Sequence, residues 1–158
     1  MTTPSPIADR ELSLTRIIDV PADKLFKCWT TAELLPLWFC PPPWVVSHAE
    51  MDVRTGGNSL IVMKGPNGEE VANPGVYLEV VENRRIVFTD AFTTAWVPSE
   101  KPFMVGIVEF EDLGDGTTRY TAVVRHWTVA DRVTHEQMGF KEGWAIAADQ
   151  MAALARTL

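Results

Sequence analysis

The chain has 158 residues, 46% of them hydrophobic and 22% charged, which suits one globular domain with a buried core and excludes a disordered polymer. Its formal net charge is −7, its isoelectric point lies near 4.9, and it contains no lysine or arginine run. That excludes a nucleic-acid binder, which needs a basic patch to neutralise phosphates, and disfavours adsorption to anionic membranes.

Residues 1–9 read as a flexible tail and residues 10–158 as a single domain. The start, Met1 to Pro6, lacks the basic residues and apolar run of a secretory signal, and no apolar stretch approaches the roughly 20 residues that span a bilayer. Glu11 to Val20 alternates as a first strand. Pro21 suits the first turn of a helix over Ala22 to Thr30, with Leu25, Phe26 and Trp29 at helical spacing. A second short helix begins near Thr31, carries Pro36 in its first turns, and ends at Pro41-Pro42-Pro43.

The period then changes to two. Trp44 to Arg54 is a strand with Val45, Ala49, Met51 and Val53 on one face. Asn58 to Lys64 returns, and Pro66-Asn67-Gly68 is a hairpin signal, since Asn-Gly accepts the positive φ of a tight turn. Glu70 to Val81 follows, with an interruption expected near Asn73-Pro74-Gly75. Arg85 to Phe92 is next, then a looser segment from Thr93 to Lys101. Pro102 to Glu111 and Thr117 to Trp127 are long strands joined by Gly114-Asp115-Gly116. From Val129 to Leu158 the pattern is helical, with Phe140, Trp144, Ala147, Met151, Leu154 and Leu158 forming one apolar stripe. The fold class is α+β. An antiparallel meander of six or seven strands needs a cover, and the final helix is the only element long enough to supply it.

Several segments match a known pattern. They are Arg16-Ile17-Ile18-Asp19-Val20-Pro21-Ala22 with Leu25-Phe26 and Trp29, Trp38-Phe39 before the prolines, and Asp52-Val53-Arg54-Thr55-Gly56-Gly57. Gly65-Pro66-Asn67-Gly68, Gly75-Val76-Tyr77-Leu78-Glu79, and His135-Glu136-Gln137-Met138-Gly139-Phe140 with Gly143-Trp144 complete the set. In order and spacing they resemble the START-like (SRPBCC) superfamily. Within it the chain is similar, over residues 10 to 157, to bacterial homologues of the C-terminal domain of the activator of the heat-shock-protein-90 ATPase. The resemblance implies a helix-grip fold, in which a curved antiparallel sheet holds a long C-terminal helix and two short helices follow the first strand. It also implies a cavity between sheet and helix that takes an apolar small molecule; a pocket of about 300–1,000 Å³ is usual for such ligands.

The candidate cavity residues are Trp38, Phe39, Met63, Phe88, Asp90, Phe92, Trp96, Met104, Tyr120, His126, Gly139, Phe140, Gly143 and Trp144. Aromatic and methionine side chains serve cores by default, but they also adapt to apolar ligands. On the last strand Tyr120, Ala122, Val124 and His126 share the more apolar face, and parity places Asp90 on an inner face with Ile86, Phe88 and Phe92. A buried Asp90 needs a partner, which His126 or an arginine could supply; an Asp90–His126 pair would orient a ligand or transfer a proton, or serve as a satisfied polar contact. Gly139 and Gly143, four apart in a helix, read as room for a ligand, as close helix packing, or as a bend.

No phosphate loop, nucleophile elbow, catalytic motif, metal-ligand cluster or cofactor motif is legible. Cys28 and Cys40 are expected as reduced thiols, which suits a cytoplasmic location. The leading function is ligand binding without catalysis. Two alternatives stand beside it: a protein-interaction module with a chaperone partner, using an exposed edge or the Trp38 to Trp44 loop, and a cyclase- or hydrolase-type enzyme. Either a monomer or a homodimer fits the sequence.

Overall fold

The computed structural model describes residues 6–158. The first five residues of the expected tail lie outside the described residues; Ile7–Arg10 is a 3-10 turn, and Arg10 reaches the carbonyls of His126 and Trp127. The strands are β1 (Glu11–Ile18), β2 (Val45–Met51), β3 (Asn58–Lys64), β4 (Glu70–Val81), β5 (Arg85–Thr89), β6 (Phe92–Thr93), β7 (Val97–Pro98), β8 (Met104–Asp112) and β9 (Thr118–His126). The helices are α1 (Ala22–Thr30), α2 (Val129–Gln137) and α3 (Phe140–Ala155). Seven strands form one sheet in the order β1-β9-β8-β5-β4-β3-β2, with every pairing antiparallel. The helix-grip arrangement is therefore present.

β9 shows why the sheet has one buried face. Thr118, Tyr120, Ala122, Val124 and His126 are buried, and the residues between them are not. Two sequence readings change. In β2 a bulge between Val46 and His48 shifts the register, so Val46, Ala49 and Met51 face the core while Val45 is 56% exposed. In β4 Pro74 does not interrupt the strand. β5 pairs with β4 only from Val76 onward, so no partner on that side asks Pro74 for an N–H.

Two helical readings change as well. The second short helix is a single 3-10 turn, Leu35–Leu37, because Pro36 and the following prolines leave no length for more. The final helix is two helices. Thr128 caps α2 by accepting from the Asp131 N–H, and the chain breaks at Gly139, whose φ of +92° is left-handed. α3 then packs on α1 and β1 through Ala148, Met151, Ala152 and Ala155, all buried. The expected stripe is thus rotated: Phe140 and Met151 are sealed, Trp144, Ala147 and Leu154 are half-buried, and Leu158 is exposed.

Candidate functional site

The core beneath the helices is an aromatic chain. The Trp29 ring lies 5.1 Å from Trp38, 6.0 Å from Phe39 and 5.8 Å from Phe88. Both indole N–H groups are satisfied, Trp29 donating to Tyr120 Oη at 3.2 Å and Trp38 to the Cys28 carbonyl at 3.0 Å. Phe88 pairs with Gly106 across β5 and β8, and a Cβ on Gly106 would sit 2.3 Å from Phe88 Cζ. Glycine there is what lets the ring lie on the sheet. α3 fixes the loop over this cluster, since Gln150 Nε2 donates to the Trp38 and Cys40 carbonyls at 2.8 and 3.0 Å.

The candidates separate by burial. Trp38, Tyr120, His126 and Phe140 are sealed in the core. Phe39, Met63, Phe88, Met104 and Trp144 are half-buried, leaving part of each side chain accessible. Phe39, Phe88 and Trp144 pack on one cluster, and Met104 and Trp144 on the neighbouring cluster of Leu12, Val124 and Phe140. Phe92 and Trp96 are not brought to this group. They pair with each other at 5.9 Å on the β6–β7 hairpin, where Trp96 is 49% exposed and covers Gly56.

The Asp90–His126 pair does not form. β5 ends at Thr89, whose hydroxyl donates to the Met104 carbonyl, and Asp90 Oδ1 accepts from the N–H groups of Phe103 and Met104 at 2.9 and 3.1 Å. Side chains that satisfy backbone groups in this way stop a strand. The inward parity assumed for Asp90 ends with it. His126 instead bonds the Arg10 carbonyl through Nδ1 at 2.8 Å and His135 Nδ1 through Nε2 at 2.9 Å. Phe103 lies against both imidazoles at 5.4 Å, and Phe140 lies 5.2 Å from His135 on one side and from Trp144 on the other. Trp29, Phe103 and His135 were not singled out as site residues by sequence. Trp29 read as one position in a helical stripe, Phe103 follows a proline at a strand start, and His135 acquires meaning only beside His126.

Burial, and secondarily the neighbouring His126, hold His135 down at about 4, against 6.5 for an ordinary imidazole. The unfolded chain therefore binds a proton between those values that the folded chain refuses. This contribution is complete above pH 6.5, is lost as pH falls toward 4, and changes no further below it. Discounted for solvent access, it amounts to about 1–2 kcal/mol. Urea denaturation at pH 7 and pH 4.5 should show wild type losing that much more than His135→Gln; equal losses would refute it.

The glycines separate too. Gly139 is not inside a helix but joins two, while Gly143 lies in the first turn of α3, where a Cβ would meet only Pro41 Cγ at 3.7 Å. Gly139→Ala should destabilise by about 1 kcal/mol through its left-handed φ, and Gly143→Ala should stabilise by up to about 1 kcal/mol through helix propensity. Thermal unfolding that moves both in the same direction would contradict this geometry.

A groove of about 880 Å³ lies elsewhere, where the start of α1 meets the β4–β5 turn and the ends of β8 and β9. Glu82, Glu109, Glu111, Asp112, Arg84 and Arg119 line it, and so polar a surface is the wrong chemistry for an apolar ligand. Cys28 and Cys40 are buried and unpaired, and desolvation pushes both thiols up to about 11. Among the described residues no group of three His, Cys, Asp or Glu side chains could hold a metal ion, and no helix is long and apolar enough to cross a membrane.

A curved antiparallel sheet closed by a C-terminal helix over an aromatic core defines a helix-grip protein of the SRPBCC class. Residues 19–156 match the family described as Activator of Hsp90 ATPase homolog 1-like protein, and the chain belongs to that family. It is similar to a structure from Nitrosomonas europaea at 36% identity, covering 95% of this chain and 96% of that one, with a TM-score of 0.90. A Mycobacterium smegmatis protein at 24% identity, covering 96% and 94%, has a TM-score of 0.80 and shares the fold. A Rhodobacter sphaeroides protein does so at 16% identity, covering 99% of both chains, with a TM-score of 0.82. No curated protein matches the sequence significantly.

Proposed function

We infer that this chain binds a small apolar molecule between the concave face of its sheet and α3. The observation that carries the reading is the group Phe39, Phe88, Met104 and Trp144, large apolar side chains left half-open around a sealed aromatic core, with Met63 half-buried opposite Val46 in β2. Such surfaces gain stability when a ligand removes them from water, at about 25 cal/mol per Å². Family membership supports the reading, because SRPBCC proteins are typically associated with apolar ligands. Native mass spectrometry of the purified chain should show a retained small molecule, or the neutral dye Nile red should bind the emptied protein. Phe88→Ala should weaken the dye roughly tenfold, equivalent to about 1.4 kcal/mol, while Trp96→Ala leaves it unchanged. A chain that neither retains a ligand nor binds the dye would refute the proposal.

A second reading is a protein-interaction module. Leu37 is 65% exposed and Val45 56%, at the two ends of the Trp38 to Trp44 loop, and β2 is an edge strand. An Hsp90 chaperone is the partner suggested by the family description. Leu37→Ser with Val45→Ser should abolish any stimulation of that chaperone's ATPase; no stimulation by wild type would exclude the reading.

A further inference from the structure

The histidine pair fixes the polarity of one end of the apolar surface. The Arg10 carbonyl can only accept, so His126 Nδ1 carries the proton of that hydrogen bond. His126 is 1% exposed, and neither of its ring partners is an anion. In the arrangement with both rings neutral, its Nε2 then holds a lone pair. His135 Nδ1, 2.9 Å from that lone pair, must then be the donor. One proton remains on His135, and it is already used. Its Nε2 is left as an acceptor that none of the described residues bonds, on a half-buried ring beside Phe103 and Phe140. Phe140 in turn stacks on Trp144, one of the half-open apolar side chains.

We propose that the ligand of this surface is an apolar molecule carrying one neutral hydroxyl group, which donates its hydrogen bond to His135 Nε2. This rests on the reading of the concave face as an apolar binding surface, and it adds the ligand class. A carboxylate cannot donate, and it would set an anion against a lone pair. A plain hydrocarbon offers that nitrogen no proton. The low proton affinity of His135 agrees, since the ring stays neutral near pH 7.

Naphthalene, 1-naphthol and 1-naphthoate share one ring system and differ in this group alone. Titrated into the full chain at pH 7 and followed by amide shifts, the naphthol should bind roughly three- to tenfold tighter than naphthalene, as one neutral hydrogen bond allows. The naphthoate should bind most weakly. His135→Phe should erase the naphthol preference while keeping naphthalene. Because that variant also removes a partner of His126, ring ¹⁵N shifts of the unaltered protein supply an independent check. Both His126 and His135 should be Nδ1–H tautomers, and an Nε2–H signal from His135 would overturn the proposal. Equal binding of all three compounds would overturn it while leaving the apolar surface standing. Binding of none would remove the surface and the proposal together.

Discussion

Trp38→Ala should cost the folded chain about 3–5 kcal/mol, the range for a large aromatic truncated inside a core. The side chain is 2% exposed and meets Trp29 and Phe39 edge-on at 5.1 and 5.6 Å. Its indole N–H holds the Cys28 carbonyl of α1, and its own carbonyl is held by Gln150 of α3. The residue therefore joins α1, the proline loop and α3. Trp38→Phe should cost less, about 1–2 kcal/mol beyond the lost area, because it chiefly leaves the Cys28 carbonyl without that donor. Urea midpoints of the two variants separate these contributions. A loss below about 1 kcal/mol for alanine would mean that the loop is not seated on the core.

The parts of the fold legible in the sequence were those set by local rules. Alternation over Tyr120 to His126 gives the buried face of β9 correctly, and Asn67-Gly68 marks the β3–β4 hairpin. A bulge cannot be read from alternation, because one extra residue reverses every later position; Val45 and Val46 exchanged faces for that reason. The apolar stripe of the final segment read as one helix because glycine at 139 is tolerated in a helix pattern, whereas the chain uses its left-handed φ to begin again. Trp144 consequently lies at the rim of the core rather than at its centre, and its truncation should cost less than that of Trp38.

The site was legible as a composition and not as a geometry. The half-open aromatics and methionines are legible from residue type alone. Which of them are sealed depends on how α3 and the proline loop settle, and Gln150 settles that from a distance of more than a hundred residues in sequence. The same holds for His126. Its inward direction followed from parity, but its partner is His135, one helix away, and Asp90 is occupied by two backbone donors. Long-range hydrogen bonds of this kind leave no local trace.

Gly57→Ala should destabilise by about 3 kcal/mol, at the upper end of what overpacking usually costs. Its backbone is not left-handed, so the penalty is one of space. An added Cβ would lie 1.8 Å from the Asp52 carbonyl oxygen, a backbone atom of the same turn with no rotamer to escape into. The turn is also stitched to β4: the Gly56 N–H bonds the Tyr77 carbonyl at 2.7 Å, and the Tyr77 N–H bonds the Gly57 carbonyl at 3.1 Å. Tyr77 pairs with Phe88 across β4 and β5, so a displaced turn should disturb the half-open surface as well as stability. Gly68→Ala is the control. Nothing lies within 4 Å of its added Cβ, and only its φ of +86° is strained, at about 1 kcal/mol. Denaturation should therefore rank Gly57→Ala well below Gly68→Ala in stability, and Nile red should bind the first variant more weakly than the second. Equal stabilities would show that the Asp52 to Asn58 turn yields to the extra methyl group, and that Phe88 does not depend on it.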